Sequence, residues 1–179
     1  MKENISHEIH IVRKATKEHA GDIVRLLFNA WVQTYVNSEY QITELDIQRK
    51  FGDLSEKIQD IGQFIENSTN QSNINYLVAI VNGEVSGFIY ATKNKSELYI
   101  NALYVDPNSQ RGGIGTSLLH ETINNNQMVD VIVVDVVSYN EKAIAFYEKN
   151  GFIKQGQSNT AFSKFPDGKV VPEIRMIKK

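Results

Sequence analysis

"YVDPNSQRGGIGTSLLHETI" (104–123) is the stretch on which the fold turns. A β-like run ends in "LYVDP", a turn follows, and an amphipathic run then begins. Gly112, Gly113 and Gly115 stand where that run should start a helix. Glycine is a poor helix former, so its crowding there needs a reason. The first amides of a helix have no intrahelical partner and carry the positive end of the macrodipole. Both favour an anion, and glycine lets a ligand approach the backbone closely. Two common phosphate-binding patterns fail. A P-loop ends in Gly-Lys-Ser/Thr, whereas Gly115 is followed by Thr116 and Ser117 with no lysine. A dinucleotide fingerprint counted from Gly113 has Leu118 in its last place, and its strand comes late in the chain, after a hairpin.

Downstream, "DVIVVDVV" (130–137) is a continuously apolar strand of the kind buried on both faces. "NEKAIAFYEKN" (140–150) is a helix stopped by Gly151. "FIKQGQSNTAFSKF" (152–165) and "KVVPEIRMIKK" (169–179) make a last strand pair joined through Pro166-Asp167-Gly168. Upstream, "ELYINALYV" (97–105) is a strand, and two β-rich runs flank Asn82-Gly83, a strong hairpin signal.

Earlier still, "HEIHIVRKA" (7–15) alternates as a first strand, and Thr16 is placed to cap a helix reaching Tyr35. Ile23, Leu26, Leu27, Ala30, Trp31 and Tyr35 fall at helical spacing there. Thr43 is placed to cap a second helical region reaching about Asn67, with "NSTNQSN" (67–73) an exposed loop. The expected order is β–α–α–β–β–β–α–β–α–β–β, a mixed α/β domain.

Bulk properties exclude several functions. The chain has 179 residues, 41% of them hydrophobic and 22% charged, with a net charge of −2. That balance argues against nucleic acid as a partner, because phosphate backbones select basic surfaces. There are no cysteines, so disulfides, thiolate metal sites and a cysteine nucleophile are out. "MKENISHEIH" has no apolar core of a secretory signal, and runs such as "VIVV" (131–134) are far shorter than the ~20 residues of a membrane span. The expectation is a cytoplasmic protein without a membrane partner. His7, His10, His19 and His120 show no metal-ligand spacing, so no metal is expected.

"QRGGIG" (110–115) resembles the acyl-CoA pyrophosphate loop of the GNAT superfamily of N-acetyltransferases. "VVSYNEKAIAFYEKNGF" (136–152) resembles the other half of that family's cofactor site, in the expected order and one strand apart. The resemblance implies a single domain over 1–179. Its strand and acceptor-side helices would span 8–74 and its acetyl-CoA-binding core 75–179. It implies acetyl-CoA as co-substrate and a primary amine as acceptor, with two parallel strands splayed near Val105 and Val137. The pantetheine arm would lie on the backbone of Leu103, Tyr104 and Val105. Backbone N–H groups from Arg111 to Thr116, with Gln110, Gly112, Gly113, Ile114 and Gly115 in the same loop, would hold the pyrophosphate. Arg111 either adds charge there or stands solvated. Asn140, Ala143 and Tyr147 would complete the cofactor site, although Asn140 also suits a plain N-cap.

By the same resemblance Tyr147 is the candidate general acid for the departing sulfur. A tyrosine of ordinary pKa, about 10, is protonated at neutral pH and suits an acid better than a base. Packing under the cofactor is its alternative. Several relatives carry a glutamate where this chain has Asn101, and a neutral amide takes no proton. Glu97 falls on the same face by alternation, and an ordinary exposed carboxylate is its plainer reading. Trp31 and Tyr35, one helical turn apart, are candidate substrate residues, an aromatic wall for a cationic amine, with core packing the competing reading for Trp31. The implied acceptor is a small-molecule amine such as a polyamine. A protein N-terminus, as in the ribosomal-protein acetyltransferases, is the alternative, and a non-catalytic acyl-CoA-binding module stands outside both. A homodimer through an edge strand follows only by analogy.

Overall fold

The computed structural model describes residues 10–158 and 164–179. Residues 7–9 of the expected first strand, His7 among them, and residues 159–163 of the last strand pair lie outside the described residues. Seven strands form one sheet in the order β1-β2-β3-β4-β5-β7-β6. They are β1 (Ile11–Lys14), β2 (Ile74–Val81), β3 (Glu84–Asn94), β4 (Glu97–Val105), β5 (Val131–Val137), β6 (Ile153–Ser158) and β7 (Glu173–Lys178). Every neighbouring pair is antiparallel except β4–β5, which is parallel. A parallel pair needs a crossover. Helix α4 (Ile114–Asn124), which starts in the glycine-rich stretch, supplies it.

Helices α1 (Ala20–Tyr35) and α3 (Leu54–Ser68) cover one face of the sheet, and α4 and α5 (Glu141–Lys149) cover the other. Ile23, Leu26 and Ile65 pack there on Val78 and Phe88. On the opposite face Leu118 and Leu119, both fully buried, pack on Leu77, Ala79, Ile89 and Leu98. A third cluster gathers Trp31, Tyr35, Ile42, Ile47, Phe51, Val137, Phe165 and Val171 at the end of the sheet where β4 and β5 run out.

The expected element order holds, with two differences. The region from Thr43 to Asn67 is two helices, α2 (Glu44–Phe51) and α3. Thr43 caps α2, whose last turn ends at Gly52 in a positive-φ conformation (φ 67°). Asp53 then caps α3 by accepting from Ser55 N–H at 2.7 Å and Glu56 N–H at 3.1 Å. The apolar spacing on either side of Gly52 is continuous enough to hide the break. The second difference lies in the turn of the last strand pair, which itself forms as expected, with β7 between β5 and β6. The Pro166-Asp167-Gly168 turn closes only a small bridge between Lys164 and Val170. This connection is stapled to α2 by Lys169 Nζ, 2.8 Å from Asp46 Oδ2, and Lys50 Nζ donates to Lys164 O at 2.5 Å.

Gly87 on β3 sits under α4. A Cβ there would lie 3.0 Å from Ile114 Cγ2, 3.1 Å from Tyr104 O and 3.2 Å from Leu118 Cδ1. The helix can lie this close to the sheet only because the position is a glycine. Gly87→Ala is expected to lower unfolding free energy by about 1–3 kcal/mol, the usual cost of overpacking. Gly21→Ala, in α1 with open space around it, should cost nothing. Urea unfolding of both variants against the wild type checks the contrast.

Candidate active site

Strands β4 and β5 pair from Glu97↔Val131 to Ile100↔Val134 and no further. β4 continues to Val105 and β5 to Val137, so the two part company over their last residues. The break coincides with a bulge. Ile100 faces Ala91 and Ala102 faces Tyr90 on β3, leaving Asn101 as the extra residue. A bulge bends a strand and sharpens its twist, which turns the end of β4 away from β5. Asn101 Nδ2 fixes it by donating to Thr92 Oγ1 at 3.0 Å and to Tyr99 O at 3.2 Å. A cleft of about 360 Å³ opens between the diverging strands. Ala102, Leu103 and Tyr104 line one wall and Val134–Val137 the other, with Asn140, Ala143 and Tyr147 behind.

Beyond the end of β4 the chain makes one tight 3-10 turn, Pro107–Ser109, and enters α4. Arg111 (φ 69°) and Gly113 (φ 82°) are both left-handed. Glycine takes that conformation without strain, and Arg111 takes it at a cost of about 1–2 kcal/mol. The first amide of α4 to find a backbone carbonyl is Ser117, 2.9 Å from Gly113 O. The amides from Arg111 to Thr116 therefore have no backbone partner. Gln110 Nε2 donates to Val105 O at 3.3 Å and ties this loop to the end of β4. Gly115 has a packing reason as well, because a Cβ there would lie 3.3 Å from the Phe146 ring.

The charged groups that the strands bring to the cleft come from β5 and β7. Asp135 on β5 has a nearly buried side chain and accepts two bonds from Arg175 on β7, Nε at 3.0 Å and Nη2 at 2.8 Å. Tyr99 OH donates at 2.5 Å to Oδ2, the oxygen that also accepts from Arg175 Nη2. Burial alone would raise the Asp135 pKa, but hydrogen bonds from Arg175, Tyr99 and Ser158 outweigh it and hold the carboxyl below its ordinary value. Glu173, buried at the start of β7, is the second carboxylate lining the cleft. Tyr104 OH accepts from Trp31 Nε1 at 3.0 Å and lies 3.3 Å from Tyr35 OH. Burial pushes the Tyr147 phenol well above its ordinary pKa, with the neighbouring Tyr104 adding to the rise, so Tyr147 keeps its proton.

A model of the acetyltransferase (GNAT) family matches residues 33–152, more than half of the chain. The chain belongs to the GNAT family. It is 34% identical over 96 residues to the UPF0157 protein YqkA of Bacillus subtilis, an alignment covering 50% of this chain and 28% of that protein. The chain thus spans less than a third of the length of that curated relative. Among solved structures it resembles the PaiA N-acetyltransferase of Thermoplasma acidophilum, solved in complex with coenzyme A, with a TM-score of 0.74 at 22% identity over 96% of this chain and 99% of that one. It also resembles a ribosomal-protein-alanine N-acetyltransferase of Brucella melitensis, with a TM-score of 0.68 at 23% identity over 94% and 98% of the two chains.

Within this GNAT fold, Leu103, Tyr104, Asn140, Ala143 and Tyr147 meet at one cleft. Gln110 to Thr116 lie at its end, around the α4 N-terminus. Asn140 does cap α5, accepting from Ala143 N–H at 3.1 Å. For Trp31 the surroundings favour the core-packing reading. It is 1% exposed, does not line the cleft, and stacks behind Tyr35 with ring centroids 4.2 Å apart. Its indole N–H is already spent on Tyr104, so it braces the wall and Tyr35 is the member that faces the cleft. Glu97 matches its plainer reading as an ordinary exposed carboxylate. Strict alternation fails at the Asn101 bulge, and Glu97 sits exposed at the far end of β4, away from the cleft. The sequence reading missed Asp135 and Glu173. A lone aspartate inside "VIVVDVV" was a signal of a buried, partnered charge. Glu173 gave none, since its place depends on how β7 is inserted.

Arg175→Met removes the guanidinium that holds Asp135 ionised, and burial then prevails. The Asp135 pKa is expected to move from below to above its ordinary value of about 3.9, measured by carboxyl carbon NMR titration. In the wild type the lowered pKa contributes stability that is complete above the unfolded-state value and is lost as pH falls through the folded one. The variant should reverse that sign and lose its deficit as the medium is acidified.

Proposed function

We propose that this chain is an acetyl-CoA-dependent N-acetyltransferase whose acceptor is a small-molecule primary amine of the polyamine kind. The observation that carries the donor half is the continuity of open backbone. The free edge of β4 at Leu103–Val105 runs into the amides of residues 111–116, which have no backbone partner. An extended amide-bearing arm ending in a pyrophosphate fits that sequence of groups, with strand-like hydrogen bonds first and a helix N-terminus last. Asn140, Ala143 and Tyr147 close the other side.

Bound acetyl-CoA supplies a thioester whose carbonyl carbon the amine attacks. The chain's own groups do the rest. Backbone N–H near Val105 is the donor that would meet the carbonyl oxygen as it gains charge, a preorganised contribution of the oxyanion-hole type. Tyr147, a protonated phenol whose pKa burial raises further, is the proton donor for the sulfur. The acceptor side of the cleft supports a cationic amine. Tyr35, Tyr76, Tyr90 and Phe88 offer aromatic surface, and Asp135 and Glu173 are the carboxylates among its lining residues. Among the described residues no group of three or more His, Asp and Glu could hold a metal ion.

Free-CoA release with acetyl-CoA and either spermidine or trialanine tests the assignment. Spermidine should be the faster acceptor. A preference for trialanine would move the function to protein N-termini, acyl-CoA binding without turnover of either would make the chain a binding module, and no acyl-CoA binding would remove the reading altogether. Tyr147→Phe is expected to lower kcat by roughly 10²–10⁴-fold, the usual scale of a general acid, with acetyl-CoA affinity by calorimetry unchanged. Wild-type turnover in that variant would reduce Tyr147 to a packing residue.

A further inference from the structure

We propose that Tyr90, with Phe64 and Tyr76 around it, is the subsite for a second ammonium group of the acceptor, so that the cleft selects a polyamine over a monoamine; the inference rests on the acetyltransferase reading above. The reacting nitrogen has to arrive at the gap between β4 and β5. Any further nitrogen of the same molecule stays protonated and lies elsewhere in the cleft.

Register puts the rings in a row that leads to the gap. Tyr76 on β2 faces Tyr90 on β3, and Tyr90 faces Ala102 on β4. Cross-strand partners share a face of the sheet. Here it is the face under α1 and α3, because Tyr76 and Ala102 pack with Ile23, Ile65 and Phe88. Tyr76 and Tyr90 stack with centroids 5.3 Å apart and planes inclined by 23°. The stack uses one face of the Tyr90 ring. The other face is turned toward Ala102, whose methyl group is too small to cover it. Phe64 comes down from α3 and meets Tyr90 edge to face, with centroids 5.4 Å apart and planes at 78°. Phe64 keeps 38% of its surface exposed, and all three rings line the cleft.

A ring face with a small neighbour suits a cation, which the ring quadrupole attracts. Burial raises the pKa of both Tyr76 and Tyr90, so they offer neutral ring faces rather than a charge. Tyr35 and Tyr104 stand at the gap itself, with their hydroxyls 3.3 Å apart. Lys57 also lines the cleft, but it sits seven residues before Phe64 on α3, about 10 Å along the helix, at the other end of that wall.

The spacing suits a polyamine. Ala102 stands just before Leu103–Val105, the backbone that would carry the acyl arm. Tyr90 is therefore one strand spacing across and one to three residues along from that backbone, roughly 6–11 Å. The inner and outer nitrogens of spermidine, counted from the reacting end, bracket that range.

Acetylation of spermidine and of n-butylamine tests the subsite, since butylamine shares the reacting end of spermidine and lacks its other nitrogens. The wild type should favour spermidine in kcat/KM. Tyr90→Leu should cut that preference roughly 2–30-fold, the range of a cation–π contact. The loss should come through a higher spermidine KM, the mark of binding shared by ground and transition states. Tyr90→Phe keeps the ring and should keep the preference. Phe64→Leu should lower it less, and decides in place of Tyr90→Leu if that variant does not fold by circular dichroism. An unchanged preference in the folded deciding variant, a fall carried by kcat, or an equal fall in Tyr90→Phe overturns the proposal. A wild type that uses butylamine as well as spermidine overturns it and leaves the acetyltransferase reading standing. A wild type that binds acetyl-CoA yet acetylates neither amine, or prefers trialanine to both, overturns the acceptor assignment and this inference with it but leaves donor binding standing. A wild type that binds no acetyl-CoA removes both.

Discussion

The hydrogen bonds that β4 and β5 do not make organise this molecule. A sheet that stops pairing in its middle leaves backbone donors and acceptors exposed on two strands, and buried groups of that kind must find partners. Closure of the gap would satisfy them most directly, so something has to hold it open. The Asn101 bulge turns β4 aside, and its side chain is bonded back to β3 and β4 rather than across to β5. Pairing on the far side of β4 continues to Val105↔Gly87, so the strand stays ordered while its inner edge is free.

The width of the gap is set through α1. Tyr104, from the free part of β4, receives the Trp31 indole N–H and meets the Tyr35 hydroxyl. From the β5 side, Tyr139 OH donates to Tyr35 O at 3.1 Å. The end of α1 thus bonds to both banks of the cleft. Tyr139 is in turn stacked on Tyr40, with centroids 5.3 Å apart, and Trp31 is wedged edge-on against Phe51. Lys169–Asp46 holds the β6–β7 connection on α2 behind the same cluster. The aromatic residues of the N-terminal helices, which looked from sequence like a wall for the substrate, are in larger part a brace between two strands that have let go of each other.

What could be read from the sequence was whatever depends on local period and local turns. Asn82 (φ 50°) and Gly83 (φ 88°) make the expected tight hairpin, and helices start at Gly113 and Asn140 where the paired motifs put them. What could not be read depends on register between distant strands. Nothing near Asn101 announces a bulge, because the bulge is a mismatch with β3. Nothing near Glu173 announces a cleft residue, because its surroundings come from β7 sliding between β5 and β6. The split of the second helical region was closer to legible. Gly52 followed by Asp53 is a stop and a cap in succession, but apolar residues on both sides kept helical spacing and masked them.

The glycine motif shows why such stretches resist a single explanation. Gly113 is needed for its backbone, in a left-handed turn where a side chain is strained. Gly115 has an ordinary backbone and is needed for space, since a Cβ there would lie 3.3 Å from the Phe146 ring. Phe146 is the residue beside Tyr147 on α5, and the two rings pack edge to face. The second constraint therefore has a consequence for the first. The contact at Gly115 sets how closely α5 approaches α4, and with it how far Tyr147 stands from the row of open amides. A loop that reads as a cradle for an anion is thus also a spacer between two helices, and in the proposed reading one missing side chain couples anion binding to the position of Tyr147.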